Sequence, residues 1–163
     1  MKDSINLYGE ALMRLNAPRA TPTNDEAIKS IGQKLTAWGI AADGQQIVDG
    51  SGLARRNVMA AETLVLVLQR MYDADPNSPW MAALPVAGVD GTLASRMRGT
   101  PAERNVRAKT GSMSNIRSLA GYVTSADGER LAFVIMLNDF EGTGAAALQA
   151  IDAIAVRLAT FRR

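Results

Sequence analysis

Apolar residues recur at helical spacing in four segments of the chain. They predict helices over Asp3–Leu15, Asp25–Trp38 and Ala60–Tyr72, and an alanine-rich amphipathic helix over Gly144–Phe161. Pro or Gly follows the first two segments, and polar residues suited to capping precede the second. The first half of the chain is therefore predicted to be helical, with one further helix closing the sequence.

The hydrophobic pattern changes period after residue 104. Three strand-like runs, Asn105–Lys109, Ser118–Thr124 and Arg130–Leu137, are separated by turn residues and predict an antiparallel three-stranded meander. Shorter elements are predicted as a strand at Gln45–Val48 and as helical turns at Pro79–Leu84 and Leu93–Arg98. Helices followed by a meander and a covering C-terminal helix indicate an α+β fold in one domain over residues 1–163.

Composition excludes several classes of active site. The chain has 163 residues but neither histidine nor cysteine, so Ser-His and Cys-His catalytic pairs and the usual zinc sites are excluded. Nucleophilic chemistry here must use a lysine or a carboxylate as its base, and no metal or other cofactor is implied. No apolar stretch is long enough for a membrane span.

Charge is modest overall but uneven along the chain. A net charge of +2 and few, scattered aromatic residues do not support nucleic-acid binding. Between Arg96 and Arg117, however, six basic residues accompany a single acid, Glu103. This cluster is typical of a solvated face, and it could also steer an anionic small substrate.

Two short motifs carry candidate chemistry, Ser4-Ile5-Asn6 and Lys109-Thr110-Gly111. Both triplets occur in the signature of β-lactamases and penicillin-binding proteins. Alone, the first is usually a helix cap, and the second is about as typical of a surface lysine at a strand end. The strand-like run before Lys109 and the additional hydroxyl of Ser112 favour the functional interpretation.

Longer blocks extend the similarity over the chain. KDSINLYGEAL, IVDGSGLARRN and the run LPVAGVDGTLASRMRGTPAERNVRAKTGSMSNIRSLAGYVTSADGERLAFVIMLND resemble the C-terminal part of D-alanyl-D-alanine carboxypeptidases/endopeptidases of the penicillin-binding protein 4 type. The resemblance implies the C-terminal half of a β-lactamase/transpeptidase-like fold. It also implies a periplasmic or cell-envelope location, and a peptidoglycan stem peptide or a β-lactam as ligand.

The resemblance assigns roles to the first motif. In this family a serine of a Ser-x-x-Lys motif attacks the D-Ala-D-Ala carbonyl, with its paired lysine as base. Ser4 would relay a proton toward the leaving amine, and Asn6 would hydrogen-bond the substrate amide and hold that lysine.

The second motif would bind the substrate's terminal carboxylate. Lys109 would support the proton relay and, with Thr110 and Ser112, receive that carboxylate, while the Ser112 N–H would stabilise the oxyanion. Gly111 would permit close approach of the backbone. The whole assignment requires Ser4 and Lys109 to meet in space.

The nucleophile motif itself is absent. No serine or threonine has a lysine three residues later; Ser30 and Lys34 are four apart, and the turn Asp49–Gly52 contains a serine without such a lysine, which predicts a structural role. We therefore expect a C-terminal portion of a catalytic domain, inactive alone. Its exposed apolar surface would be covered by the missing N-terminal half or by self-association.

Two alternatives stand beside the peptidase interpretation. One is a non-catalytic remnant or accessory module of the same fold. The other is a β-lactamase, which is disfavoured because no glutamate is well placed for deacylation and because Ile5 occupies the middle of the first triplet.

Overall fold

Helices α1 (Asn6–Leu15) and α2 (Asn24–Ala37) form close to their predicted positions in the computed structural model, which describes residues 1–41 and 44–163. The Thr23 side chain accepts a hydrogen bond from the Glu26 backbone N–H, and the Glu26 carboxylate accepts one from the Thr23 N–H. This capping box satisfies two N–H groups at the helix terminus and explains why α2 begins there.

The chain divides into two compact units. Ile5–Arg70 form one, and Met1–Ser4 with Met71–Arg163 form the other. This division does not test the predicted domain boundaries, so a single domain over 1–163 stays a prediction.

The turn Asp49–Gly52 is held by its own aspartate. The Asp49 carboxylate accepts hydrogen bonds from the backbone N–H groups of Gly52 and Ala54, at 2.8 and 2.7 Å, and from the Asn57 side chain at 2.8 Å. These bonds account for the sharp reversal of the chain and agree with the structural role predicted for this turn.

The remaining short elements differ in part from their predictions. In the structure, the chain forms helices α3 (Ala61–Ala74) and α4 (Pro79–Ala83) and a 3₁₀ turn at Gly91–Leu93. The predicted strand Gln45–Val48 is wrong: an isolated bridge joins Gln46 to Val58. The Val48 N–H donates to the Asn57 side chain at 2.8 Å and so does not continue the pairing. The predicted helical turn at Leu93–Arg98 forms earlier, as the 3₁₀ turn. None of the helices in the described parts of the chain has the length and apolar character that a membrane crossing requires.

The predicted meander is confirmed. Strands β1 (Arg107–Met113), β2 (Ile116–Thr124) and β3 (Arg130–Asn138) form an antiparallel sheet in the order β1-β2-β3, and α5 (Gly144–Ala159) packs on it. The core between α5 and the sheet includes fully buried side chains of Val106, Leu119, Val123 and Ile151. Burying one apolar face of α5 and one of the sheet is what stabilises this layer.

Strand β1 is longer than predicted. Lys109 does not end it, because the strand continues to Met113 and pairs with β2 as far as the Met113–Ile116 pair. Asn115 has a positive φ of 55° in the two-residue turn, a conformation that asparagine tolerates and that lets both strands run to the turn. Lys109 therefore lies inside an edge strand of the sheet.

Helix α1 leaves much of its apolar surface exposed. Leu7, Tyr8, Leu12 and Leu15 are each more than half exposed, with Leu15 at 78%. A 10-residue helix with this surface in water gains little from packing. Apolar surface was expected to be exposed on both the helices and the sheet. It is exposed on α1, whereas no large hydrophobic side chain of the three described strands is exposed.

Glycine at position 32 offers a stability test away from any candidate chemistry. Gly32 lies within α2, and a Cβ built there meets no atom within 4 Å. Gly32→Ala is expected to raise the free energy of unfolding by about 0.5–1 kcal/mol, because alanine loses less backbone entropy in a helix. Urea denaturation followed by circular dichroism measures the change, and a decrease would contradict the structure of this helix.

Candidate active site

Lys109 and Ser4 lie in contact although they are 105 residues apart. The Lys109 ammonium donates a hydrogen bond to the Ser4 hydroxyl at 2.5 Å and another to the Thr110 carbonyl oxygen at 2.7 Å. Ser4 is exposed, whereas Lys109 is partly buried. The two motifs of the sequence thus supply one cation and one hydroxyl to the same place, as the assignment requires.

Burial changes the acid strength of this lysine. Removal of water from around the ammonium lowers the pKa of Lys109 below that of an ordinary lysine. A lysine with a lowered pKa exchanges its proton more readily near neutral pH, and a hydroxyl in hydrogen-bond contact gives that proton a path. Lys109 and Ser4 can therefore act together in proton transfer.

The Ser4 side chain does not cap helix α1. The N-cap residue is Ile5, whose side chain accepts no capping hydrogen bond, and Ser4 lies before it with a positive φ of 52°. Ser4 therefore does not have the helix-capping role that its position in the sequence allows. Asn6 is the first residue of α1, is exposed, and belongs to the unit Ile5–Arg70, so its predicted role stays a prediction.

Thr110 and Ser112 lie on β1 next to Lys109. Side chains alternate along a strand, so those of Thr110 and Ser112 leave the sheet on the face opposite to that of Lys109. The Ala108 N–H donates outward to the Pro85 carbonyl oxygen, and the same alternation directs the Ser112 N–H to this outer edge. A ligand lying along the edge could therefore meet groups from both faces and the backbone.

Gly111 lies opposite Ser118 of β2. A Cβ built on Gly111 would overlap the hydroxyl oxygen of Ser118, the residue paired with it across the strands. The close backbone approach predicted at this glycine stays a prediction. A larger residue at this position would displace Ser118 or the strand beside Lys109.

Three residues of the site were missed by sequence reasoning. Thr92 accepts a hydrogen bond from the Thr110 hydroxyl at 2.9 Å, and Lys2 forms an ion pair with Asp90 at 2.5 Å. Lys2 lies two residues before Ser4, and this proximity was the only sign in the sequence that it belongs to the site. Charged and hydroxyl residues in loops are too common to be recognised without coordinates.

The basic cluster between Arg96 and Arg117 is in part structural. Arg96 forms an ion pair with Asp152 of α5 at 2.5 Å, with only 13% of its side chain exposed. Arg117 donates to the carbonyl oxygens of Met113 and Ile116 at the β1–β2 turn. These two guanidinium groups make contacts within the fold, so the basic cluster does not form a uniform surface that could steer an anion.

The sequence profile of the D-Ala-D-Ala carboxypeptidase 3 (S13) family matches residues 1–161. The chain belongs to this family. It is 42% identical over 99% of its length to a D-alanyl-D-alanine carboxypeptidase of Actinomadura sp., of which it covers 31%. It is also 37% identical over 86% of its length to the D-alanyl-D-alanine carboxypeptidase DacB of Haemophilus influenzae, of which it covers 30%. The chain thus spans about a third of the length of these curated relatives.

Solved structures share the fold. Penicillin-binding protein 4 (dacB) from Haemophilus influenzae matches with a TM-score of 0.88 and 30% identity, over 99% of this chain and 38% of that one. The predatory endopeptidase Bd3459 from Bdellovibrio bacteriovorus matches with a TM-score of 0.66 at 16% identity, over 94% and 46% of the two chains, which indicates the fold alone. The predicted family and α+β penicillin-binding fold are confirmed.

Proposed function

We propose that this chain supplies the proton-relay and carboxylate-binding half of a serine D-alanyl-D-alanine carboxypeptidase/endopeptidase site that acts on peptidoglycan stem peptides and is acylated by β-lactams. The observation that carries the proposal is the 2.5 Å contact between Lys109 and Ser4 in a member of the S13 family. A carboxypeptidase must hold an anionic terminus and deliver a proton to a leaving amine. A partly buried ammonium beside a hydroxyl suits both tasks.

The acylation step assigns one proton path. An attacking serine hydroxyl, whose proton passes to its paired lysine in the segment outside these residues, would form a bond to the carbonyl carbon of the D-Ala-D-Ala peptide. The C–N bond then breaks with its electron pair on nitrogen. Ser4 gives its hydroxyl proton to the departing amine and regains one from the Lys109 ammonium. Because burial lowers the pKa of Lys109, this second transfer costs less than from an ordinary lysine.

Substrate binding is assigned to the outer edge of β1. Lys109, Thr110 and Ser112 would receive the terminal carboxylate, and the Ser112 N–H would donate to the oxyanion of the tetrahedral intermediate. Gly111 keeps the backbone between them free of a side chain. Asn6 would hydrogen-bond the amide of the peptide, as the family resemblance implies.

The attacking serine is proposed to lie outside these 163 residues. Ser30 and Lys34 are not proposed as this pair, because they are four rather than three residues apart and both are hydrogen-bonded to Asn16. Ser30 donates to its carbonyl oxygen at 2.5 Å and Lys34 to its side chain at 3.4 Å. With no Ser-x-x-Lys in the sequence, and relatives about three times as long, a further polypeptide segment would complete the site. The exposed apolar surface of α1 gives that segment an area to cover. Such a peptidase would work in the periplasm or cell envelope.

A non-catalytic module of the same fold remains the second candidate, favoured by the absent nucleophile motif. The protein can be isolated from its source with an antibody against this chain. Its intact mass, measured before and after treatment with labelled penicillin, distinguishes the peptidase from the non-catalytic module. A polypeptide containing these residues, or a chain bound to them, should gain the mass of one penicillin. A folded, monomeric 17.4 kDa species without adduct would overturn the peptidase proposal and favour the module.

A further inference from the structure

The segment Met1–Ser4 is hydrogen-bonded to the loop that follows α4, residues 84–92. The Lys2 ammonium contacts the Asp90 carboxylate at 2.5 Å and donates to the Leu84 carbonyl oxygen at 3.1 Å. The Lys2 carbonyl oxygen accepts a hydrogen bond from the Thr92 N–H at 3.1 Å. Both the side chain and the backbone of Lys2 are therefore engaged, two residues before Ser4.

The loop is shaped to receive this segment. A Cβ built on Gly91 would lie 2.5 Å from the Lys2 carbonyl oxygen, so any larger residue at 91 would push the segment away. Asp90 divides its carboxylate: one oxygen binds Lys2, and the other accepts a hydrogen bond from the Val86 N–H at 2.9 Å. Asp90 thus closes its own loop and holds Lys2 with the same group.

The same loop is fixed to the strand that carries Lys109. The Ala108 N–H donates to the Pro85 carbonyl oxygen at 3.0 Å, and Val86 forms a bridge with Arg107. Thr92 binds the Thr110 hydroxyl. A continuous set of contacts therefore leads from Lys2 through the loop to both neighbours of Lys109.

We infer that Lys2 and Asp90 are positioning residues whose ion pair sets the Ser4 hydroxyl against the Lys109 ammonium. Ser4 needs such support, because it is exposed and its φ of 52° is unfavourable for a residue with a side chain. Proton transfer depends on hydrogen-bond distance, so a small displacement of Ser4 would slow it. The consequence for catalysis rests on the proposed function; the consequence for Ser4 does not.

Partly exposed ion pairs usually contribute little to overall stability, which makes this pair testable in folded variants. The exposed fractions of the Lys2 and Asp90 side chains are 32% and 36%. Asp90→Asn keeps an acceptor for the Val86 N–H and removes the charge, and Lys2→Met keeps most of the side-chain length. Glu129→Gln is the matched control, because the Glu129 side chain is 39% exposed and is paired with Arg163 in the same unit.

Hydrogen exchange of the Thr92 amide tests the docking of the segment in the 163-residue chain. Asp90→Asn and Lys2→Met should raise this exchange rate about tenfold or more, because the bond to the Lys2 carbonyl oxygen opens more often. Exchange of the β2–β3 ladder amides should not change in these two variants. Thr92 exchange should not change in Glu129→Gln. The pKa of Lys109, followed by ¹³C NMR, should rise toward the ordinary lysine value as water replaces Ser4. Unchanged Thr92 exchange together with an unchanged Lys109 titration would overturn the inference.

Penicillin acylation of the polypeptide that carries the attacking serine tests the catalytic consequence. Asp90→Asn should lower the acylation rate constant about tenfold while leaving the dissociation constant of the initial complex nearly unchanged, and Lys2→Arg should retain more activity than Lys2→Met. Wild-type rates in Asp90→Asn would overturn the positioning role. If the wild-type protein takes up no penicillin, the proposed function fails, and the exchange and titration measurements still decide whether the ion pair positions Ser4.

Discussion

Lys109→Met is expected to slow β-lactam acylation about 10²- to 10⁴-fold in the polypeptide that carries the attacking serine. Methionine fills a similar volume but provides neither the proton for Ser4 nor the charge for an anionic ligand. The rate of covalent labelling by a fluorescent penicillin measures the effect. Because Lys109 also contacts the Thr110 carbonyl oxygen, folding of the variant should be checked by thermal denaturation.

Two further lysine variants make this prediction specific. Lys109→Arg should fail to restore labelling, because a guanidinium stays protonated and its planar shape does not match the position of an ammonium. Lys34→Met should label at the wild-type rate, since the Lys34 side chain is exposed and its ammonium donates to the Asn16 side chain. Normal labelling of a folded Lys109→Met protein would remove Lys109 from the proton path.

Gly121→Ala is expected to lower the free energy of unfolding by about 3 kcal/mol, the upper part of the usual range for overpacking. A Cβ on Gly121 would overlap the Arg107 carbonyl oxygen and lie 2.5 Å from the Ala108 Cα. Both obstacles are backbone of β1, which cannot rotate away as a side chain can. Equilibrium urea unfolding measures the loss.

The same substitution at Gly32 provides the control for Gly121. One methyl group is added in both cases, yet the expected changes in unfolding free energy have opposite signs, because position 32 is open and position 121 faces a neighbouring strand. Equal stabilities for the two variants would contradict the β1–β2 register. Since Lys109 belongs to β1, loss of this pairing should also impair penicillin labelling.

Periodicity alone predicted most of the fold. The strand-like apolar runs of β2 and β3, bounded by turn residues, and the apolar stripe of α5 were sufficient, because the helix packs on the sheet. The end of β1 was not predictable, since Gly111 and Ser112 are poor strand formers that are retained by pairing with β2. Tertiary pairing outweighed local preference there.

The site was only partly accessible from the sequence. No local rule brings Ser4 to Lys109 across 105 residues; the family resemblance supplied that expectation, and the coordinates confirm the contact. Asp90 could not be found at all, because an aspartate next to a glycine is typical of a turn. Its second carboxylate oxygen, which binds Lys2, becomes meaningful only when the loop is seen against the first motif.

The backbone at Ser4 also determines which amino acid can present a hydroxyl there. With φ at 52°, a β-branched residue would bring its extra methyl group into steric conflict with the main chain. Threonine would carry the same functional group but would have to abandon this conformation, and its oxygen would then point elsewhere. The backbone conformation at position 4 therefore favours serine over threonine as the residue that brings a hydroxyl to Lys109.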